Sequence, residues 1–222
     1  MLPGQVLAAP QGLHGIDSNT VLNDSHCRAV KARGFSFCLR YVSRGEREQA
    51  HDLHEAEART ILDAGLALMP VQHVARAGWS PTKSLGTTYG RNAAAYVSEI
   101  GFPPGVNVWL DLEGVKNSTS HAAVIDYCNA WISEVESTGF VPGVYIGARA
   151  ILTGEEIFWR VRATLLEVWQ QGAGCPASGL PAHPKIIKND KIDGVEIDRN
   201  LTVNDNFGQS VLWLAPGQFN VA

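Results

Sequence analysis

The chain has 222 residues, 45% of them hydrophobic and 18% charged, with a net charge of −4. That is enough apolar material for one sizeable core, which excludes a disordered or coiled-coil chain. The mild acidity, with no basic run, gives no electrostatic reason to expect a nucleic acid or an anionic membrane as partner. No stretch is long and apolar enough to read as a membrane span, and residues 1–10 lack both a cationic start and a secretory apolar run, so no targeting signal is expected in this chain. Cys27, Cys38, Cys128 and Cys175 stand far apart and form no C-x-x-C unit. They read as reduced, mostly buried thiols rather than as zinc ligands or disulfide staples.

Residues 1–12 read as an extension ahead of a single domain over 13–222. Leu13–Ser18 is a short apolar strand ending in Asp17-Ser18, and Asn23-Asp24-Ser25 supplies N-cap chemistry for a helix that closes at Gly34. Phe35–Val42 is aromatic and β-rich. Helical spacing over Gln49–Ala64 stops at Gly65, and Leu66–Val74 resumes as a strand in which Pro70 marks a bulge or the first paired residue. A loop over Arg76–Gly86 leads to a helix from about Thr88 to Ile100. The next strand ends in Val108-Trp109-Leu110-Asp111-Leu112-Glu113-Gly114, where alternation sends Trp109, Asp111 and Glu113 to one face. Ser120 caps a helix ended by Gly139, and Val141–Gly147 is a fifth strand. Thr153-Gly154-Glu155-Glu156 is a capping box for a helix through roughly Ala163. Leu166–Gln171, Lys185–Lys188 and Gly194–Asn200 complete eight strand-like runs, with a Gly/Pro-rich loop over 172–184 before the weak seventh.

Strands alternating with helices point to a parallel α/β architecture, and eight of them to a TIM-like (β/α)8 barrel that is irregular in its seventh unit. The competing doubly wound sheet lacks a G-x-G-x-x-G after the first strand and any P-loop. In a barrel the strand ends converge on one mouth, which would gather Asp17, Asp111, Glu113 and Asp198. Carboxylates so gathered cannot all ionise without cost, and a raised pKa is what a general acid requires. Tyr41, Tyr145, Trp169 and Gln170 at the same level suit a sugar ring with apolar faces and a hydroxyl rim. Arg40 and Arg199 are candidate ion-pair partners for Asp17 or Asp198, Arg40 is also a candidate substrate-binding residue, and His73 is a hydrogen-bonding residue near the site that is a candidate for the same role. The pattern points to glycoside chemistry. Strand rise separates the Cα atoms of Asp111 and Glu113 by about 6.5–7 Å, which leaves both retaining and inverting carboxylate spacings open. His51 and His54 stand three apart on a helix with no third ligand in view, so no metal and no cofactor are expected.

The ordered set Gly15-Ile16-Asp17-Ser18, Leu110-Asp111-Leu112-Glu113, Gly143-Val144-Tyr145 and Gly194-Val195-Glu196-Ile197-Asp198-Arg199-Asn200 resembles the bacterial glycoside-hydrolase-like domain family of unknown function. That family is itself similar to the family 25 lysozymes, and the resemblance runs from about His14 to Leu214. It implies a β/α barrel with an acidic cleft and a peptidoglycan muramidase ancestry. It also implies that Glu113 is the general acid, that Asp111 assists it, and that Asp17 and Asp198 position or stabilise. Two signatures depart from the lysozymes. Their usual Trp-Gln-Tyr on the strand before the last is replaced by Ile187-Lys188-Asn189, with Trp169-Gln170 one strand earlier, and Tyr-His-Phe on the third strand is replaced by Gln72-His73-Val74. The leading expectation is thus a monomeric glycosidase acting on peptidoglycan or a related amino-sugar glycan, reaching the cell envelope by a route other than its own signal. The alternatives are a catalytically degenerate carbohydrate-binding or cell-envelope module on the same barrel, and a phosphodiesterase using the carboxylates to hold Mg²⁺ or Ca²⁺.

Overall fold

The structure is a computed structural model, described over residues 1–161, 168–170, 185–202 and 210–217. The elements run β1 (Gln5–Ala8), β2 (His14–Ser18), α1 (Asp24–Ala32), β3 (Phe37–Val42), α2 (Glu55–Asp63), β4 (Ala67–Gln72), α3 (Lys83–Ile100) and β5 (Asn107–Leu112). They continue with α4 (His121–Glu136), β6 (Val141–Ile146), α5 (Gly154–Arg160), β7 (Val168–Gln170), β8 (Lys185–Ile192), β9 (Val195–Leu201) and β10 (Leu212–Ala215). Helix starts follow local side-chain chemistry. Asn23 accepts from His26 N, Ser120 from Ala123 N, and Thr153 and Glu156 close a reciprocal capping box. α3 begins earlier than its apolar stripe indicates, because Thr82 accepts from Leu85 N and caps it inside the expected loop.

The ten strands among the described residues join one sheet in the order β1-β10-β4-β3-β2-β9-β8-β7-β6-β5, with a further pairing of β4 and β5. This is a mixed sheet with five helices among the described residues, and the expected closed (β/α)8 barrel is corrected on two counts. First, β9 runs antiparallel to both β8 and β2. A two-residue turn, Asp193-Gly194, joins β8 to β9, with both residues at positive φ (50° and 83°). That is the conformation of a type I′ hairpin, which leaves no room for a crossover helix. Second, β4 and β5 meet over only two residue pairs, Val71↔Trp109 and Gln72↔Leu110, whereas β3 and β4 share six. Beside that short pairing lies β10, antiparallel to β4 at Leu214↔Leu68 and tied to β5 by Leu212 N donating to Asn107 Oδ1. Pro70, which has no N–H to give a ladder, falls between Leu68, whose partner is β10, and Val71, whose partner is β5. Residues 1–12, expected as an extension, contain β1, which pairs antiparallel with β10 over Gln5↔Ala215 to Ala8↔Leu212.

Alternation along the strands divides the core in two. One face packs against the helices through residues such as Ile16, Cys38, Leu68, Val108, Leu110, Val97 and Trp131. The other face buries Phe37, Leu39, Met69, Val71, Trp109 and Trp213 against one another. Glycine makes room for the rings on that second face. A Cβ on Gly15 would stand 2.4 Å from the Phe37 ring, and one on Gly143 would stand 2.6 Å from Trp109. Cys27, Cys38 and Cys128 are buried free thiols, and Cys175 lies outside the described residues. Among the described residues no helix is long and apolar enough to cross a membrane.

A buried ion pair ties these layers together. Arg40 on β3, wholly inaccessible, donates from Nε to Glu57 Oε1 (2.6 Å) and from Nη2 to Glu57 Oε2 (3.2 Å). Its remaining donors reach the Ser18 and His51 carbonyls, and Glu57 Oε1 also accepts from Leu22 N at 2.7 Å. Removing one partner of such a pair strands an uncompensated charge. Glu57→Ala is therefore expected to cost about 3–5 kcal/mol of stability, read as a lower urea midpoint with an unchanged slope.

Candidate active site

The four acids singled out in the sequence come together. Asp17 on β2 and Asp198 on β9 are direct register partners, and Asp111 on β5 is opposite Tyr145 on β6. Glu113 stands one residue past the end of β5, on the same face as Asp111 by alternation. A cleft of 580 Å³ opens beside Asp17, Tyr41, Asp190, Glu196 and Asp198.

Each acid is held differently. Asp17 is buried, with Oδ2 accepting from Asn200 Nδ2 (2.8 Å) and Oδ1 from the Tyr41 hydroxyl (3.2 Å). Its pKa is nevertheless raised to about 7, chiefly by burial and further by the charge of Asp198. Asp111 is 4% exposed, and its Oδ1 is buried with no hydrogen-bond partner among the described residues. Burial, with Glu113 and Asp17 close by, pushes its carboxyl well above the ordinary range. Glu113 is half-buried and also raised, by burial and then by Asp198, while the Ala148 backbone N–H donating to it works the other way. Asp198 is raised by burial. The Tyr145 hydroxyl is held protonated, by burial and then by the negative potential of all four acids. The arrangement raises the proton affinity of all four carboxyls, with Asp17 brought to about 7, and a raised proton affinity is what proton donation to a leaving oxygen needs.

The supporting residues are specific. Trp79 Nε1 donates to the Glu113 carbonyl at 2.9 Å, and Gly114, at φ 63°, turns the chain away while its N–H reaches the Ala148 carbonyl (2.8 Å). Gly147 leaves the space that the acid occupies, since a Cβ there would stand 2.4 Å from Glu113 Oε2.

The other expected site residues divide. Tyr41 reaches Asp17, and Tyr145 is buried beneath the acids. Arg40 does not face the cleft: it is spent on Glu57 and two carbonyls, and Arg199 pairs with Asp190. His73 stacks on Tyr41 (ring centroids 4.8 Å apart) and bonds Asp52, and burial lowers its pKa. Trp169 and Gln170 lie on β7, where Trp169 is in register with Tyr145, but their side chains lie outside the described residues. The sequence reading passed over Asn200 as a ligand of Asp17. Its place two residues beyond Asp198, on the same strand face, was the available signal.

A mixed α/β sheet carrying a carboxylate-lined cleft at its strand ends defines a glycoside hydrolase-like domain. The chain belongs to the Rv2525c-like, glycoside hydrolase-like domain family, whose model matches residues 28–203. Its fold is similar to that of the Mycobacterium tuberculosis Tat-secreted protein Rv2525c, solved in complex with HEPES, at 23% identity and a TM-score of 0.65, covering 89% of this chain and 98% of that one. It is also similar to a bacterial lysozyme from Streptomyces coelicolor (16% identity, TM-score 0.57, 90% and 95% covered). A family 25 glycosyl hydrolase from Bacillus anthracis matches at 12% identity and a TM-score of 0.55, with 89% and 91% covered. No curated protein matches the chain.

Because folding raises the Asp17 pKa above its unfolded value, the native state holds a proton that the unfolded chain releases in the interval between them. The resulting stabilisation is complete below the unfolded carboxylate pKa and is lost as pH rises through about 7. Asp111, Glu113 and Asp198 act with the same sign. The melting temperature should therefore fall as pH rises from about 4 to about 7, and Asp17→Asn should flatten that fall without abolishing it.

Proposed function

We propose that this domain is a glycoside hydrolase acting on peptidoglycan or a related amino-sugar glycan. The observation that carries the reading is the gathering of Asp17, Asp111, Glu113 and Asp198 at adjoining strand ends, with every one of them shifted toward the protonated form. The family and the lysozyme-like fold supply the substrate class as an analogy.

In this reading Glu113, the more accessible member of the β5 pair, gives its proton to the glycosidic oxygen as the C–O bond breaks, and water adds its hydroxyl to the anomeric carbon while its other proton passes to the carboxylates and restores that on Glu113. The positive charge that develops on the sugar is what the buried carboxyls lack in the resting protein. Asp111, costly to ionise alone, becomes less costly to ionise beside a cation. The electrostatic tension of the site would thus be relieved in the transition state rather than in the bound substrate. Asp17, held by Asn200 and Tyr41, and Asp198 across from it would set the potential and position the sugar.

Glu113→Gln should abolish clearing of cell-wall suspensions and release of reducing ends while leaving the circular dichroism spectrum and binding to insoluble peptidoglycan intact. Equal rates in wild type and variant would remove Glu113 from its role. Saturable binding with no turnover by the wild type would make the domain a binding module instead. Gly147→Ala should lower the rate by about tenfold or more, since a positioned acid contributes 10²–10⁴-fold and this Cβ displaces it.

A further inference from the structure

On the side of Tyr41 away from Asp17 lies a second cluster that the glycosidic reading does not use. His73 follows β4, and its N–H continues the ladder to the Val42 carbonyl at 3.0 Å, which puts it on the same strand face as Met69 and Val71. Its Nε2 lies 3.0 Å from Oδ1 of Asp52, a carboxylate that is 1% exposed. The His51 ring meets His73 edge-on, with centroids 5.4 Å apart. The ligand-capable atoms of His51, Asp52 and His73 all lie within 4.8 Å of one another. His51 and His54, expected three apart on one helix, are not so placed: α2 starts at Glu55, His51 precedes it, and His54 occupies its N-cap position and approaches Glu48.

We infer that His51, Asp52 and His73 form a binding site for a divalent transition-metal ion of the zinc class, beside Tyr41, which lines the acidic cleft. Two imidazoles and one carboxylate are a borderline donor set that suits Zn²⁺, Co²⁺, Ni²⁺ or Cu²⁺, whereas Mg²⁺ and Ca²⁺ call for more oxygen ligands. Three protein ligands leave a position for water. Ligands on a tetrahedral ion with bonds of about 2.0–2.1 Å stand roughly 3.3 Å apart. The His73–Asp52 pair already meets that spacing, and the ion takes the place of the proton between them. His51, whose side chain is exposed, supplies the remaining closure by rotation.

The backbone carrying the ligands is held from outside the cluster. Arg40 Nη2 donates to the His51 carbonyl (2.9 Å), Leu53 N donates to the Tyr41 carbonyl (2.8 Å), and Asp52 Oδ2 accepts from Gln49 N. Such a frame lowers the ordering cost of binding. An ion here would pin the segment before α2 to the end of β4 and fix the His73 ring on which Tyr41 stacks.

The test needs no cell-wall activity, so its result is separable from that of the glycosidase reading. The full chain, stripped with chelator, is titrated with Zn²⁺ by calorimetry and with Co²⁺ while the visible d–d absorption is followed. The expected result is one equivalent bound, an absorption intensity typical of four- or five-coordinate Co²⁺, and a melting temperature that rises with free Zn²⁺. His51→Ala, which alters an exposed side chain, and His73→Ala should each weaken binding by about tenfold or more. His121→Ala, at a separate exposed His–Glu contact, should leave it unchanged. Absence of binding, or binding that survives either His51→Ala or His73→Ala, overturns the site.

Discussion

The buried pair of Arg40 and Glu57 is the constraint on which the arrangement of the cleft depends. A guanidinium at zero exposure has no water to solvate it, so every donor must find oxygen inside the protein. The oxygens it finds belong to the last residue of β2, to the segment before α2, and to α2 itself. Ser18 is adjacent to Asp17, His51 to Asp52, and Arg40 to Tyr41. One charge on the outer face of β3 therefore fixes the neighbours of Asp17 and Tyr41, which line the cleft, and of the buried Asp52. Such a pair is a poor source of net stability but a strict geometric specification, since any other arrangement leaves the charge unpaired.

The acids exploit the opposite logic. Hydrogen bonds to Asp17 recover only part of what its burial costs, and Asp111 Oδ1 recovers nothing from the described residues. A folded protein tolerates such groups where they serve a site, and the surrounding apolar rings and glycines hold them there. Tyr145 illustrates the arrangement: it lies opposite Asp111 in the ladder, its neighbour two residues back is a glycine that admits Trp109, and its neighbour two residues on is the glycine that admits Glu113.

Much of this was legible in the chain. Alternation in Trp109-Leu110-Asp111-Leu112-Glu113 put both acids on one face, and the recurrence of strand, acid and turn at Asp17 and Asp198 identified their neighbours across the sheet. Capping chemistry placed α1, α4 and α5 well. What failed was direction. Ile192-Asp193-Gly194-Val195 is a hairpin signature, and reading its flanks as two parallel strands turned a mixed sheet into a (β/α)8 barrel. β1 and β10 were missed because each is only four residues long and their pairing joins the two ends of the chain, which no local pattern shows. Arg40 was misplaced for a related reason: it precedes the cleft-facing Tyr41 by one residue, so the pleat sends it to the opposite face. Asp52 carries no pattern of its own, since its role arises from a contact with His73 across 21 positions.

The ladder between β2 and β9 joins residues far apart in the chain, with Asn200 bonding Asp17 across 183 positions. During synthesis the segment bearing Asp111 and Glu113 leaves the ribosome well before the segment bearing Asp198 and Asn200. Until that late strand arrives, Asp17 has neither its amide partner nor its opposing charge, and water can reach it. Pairings this distant close slowly because chain entropy must be lost before contacts reward it. The surroundings that set the proton affinity of Asp17 are therefore complete only once β9 has paired with β2.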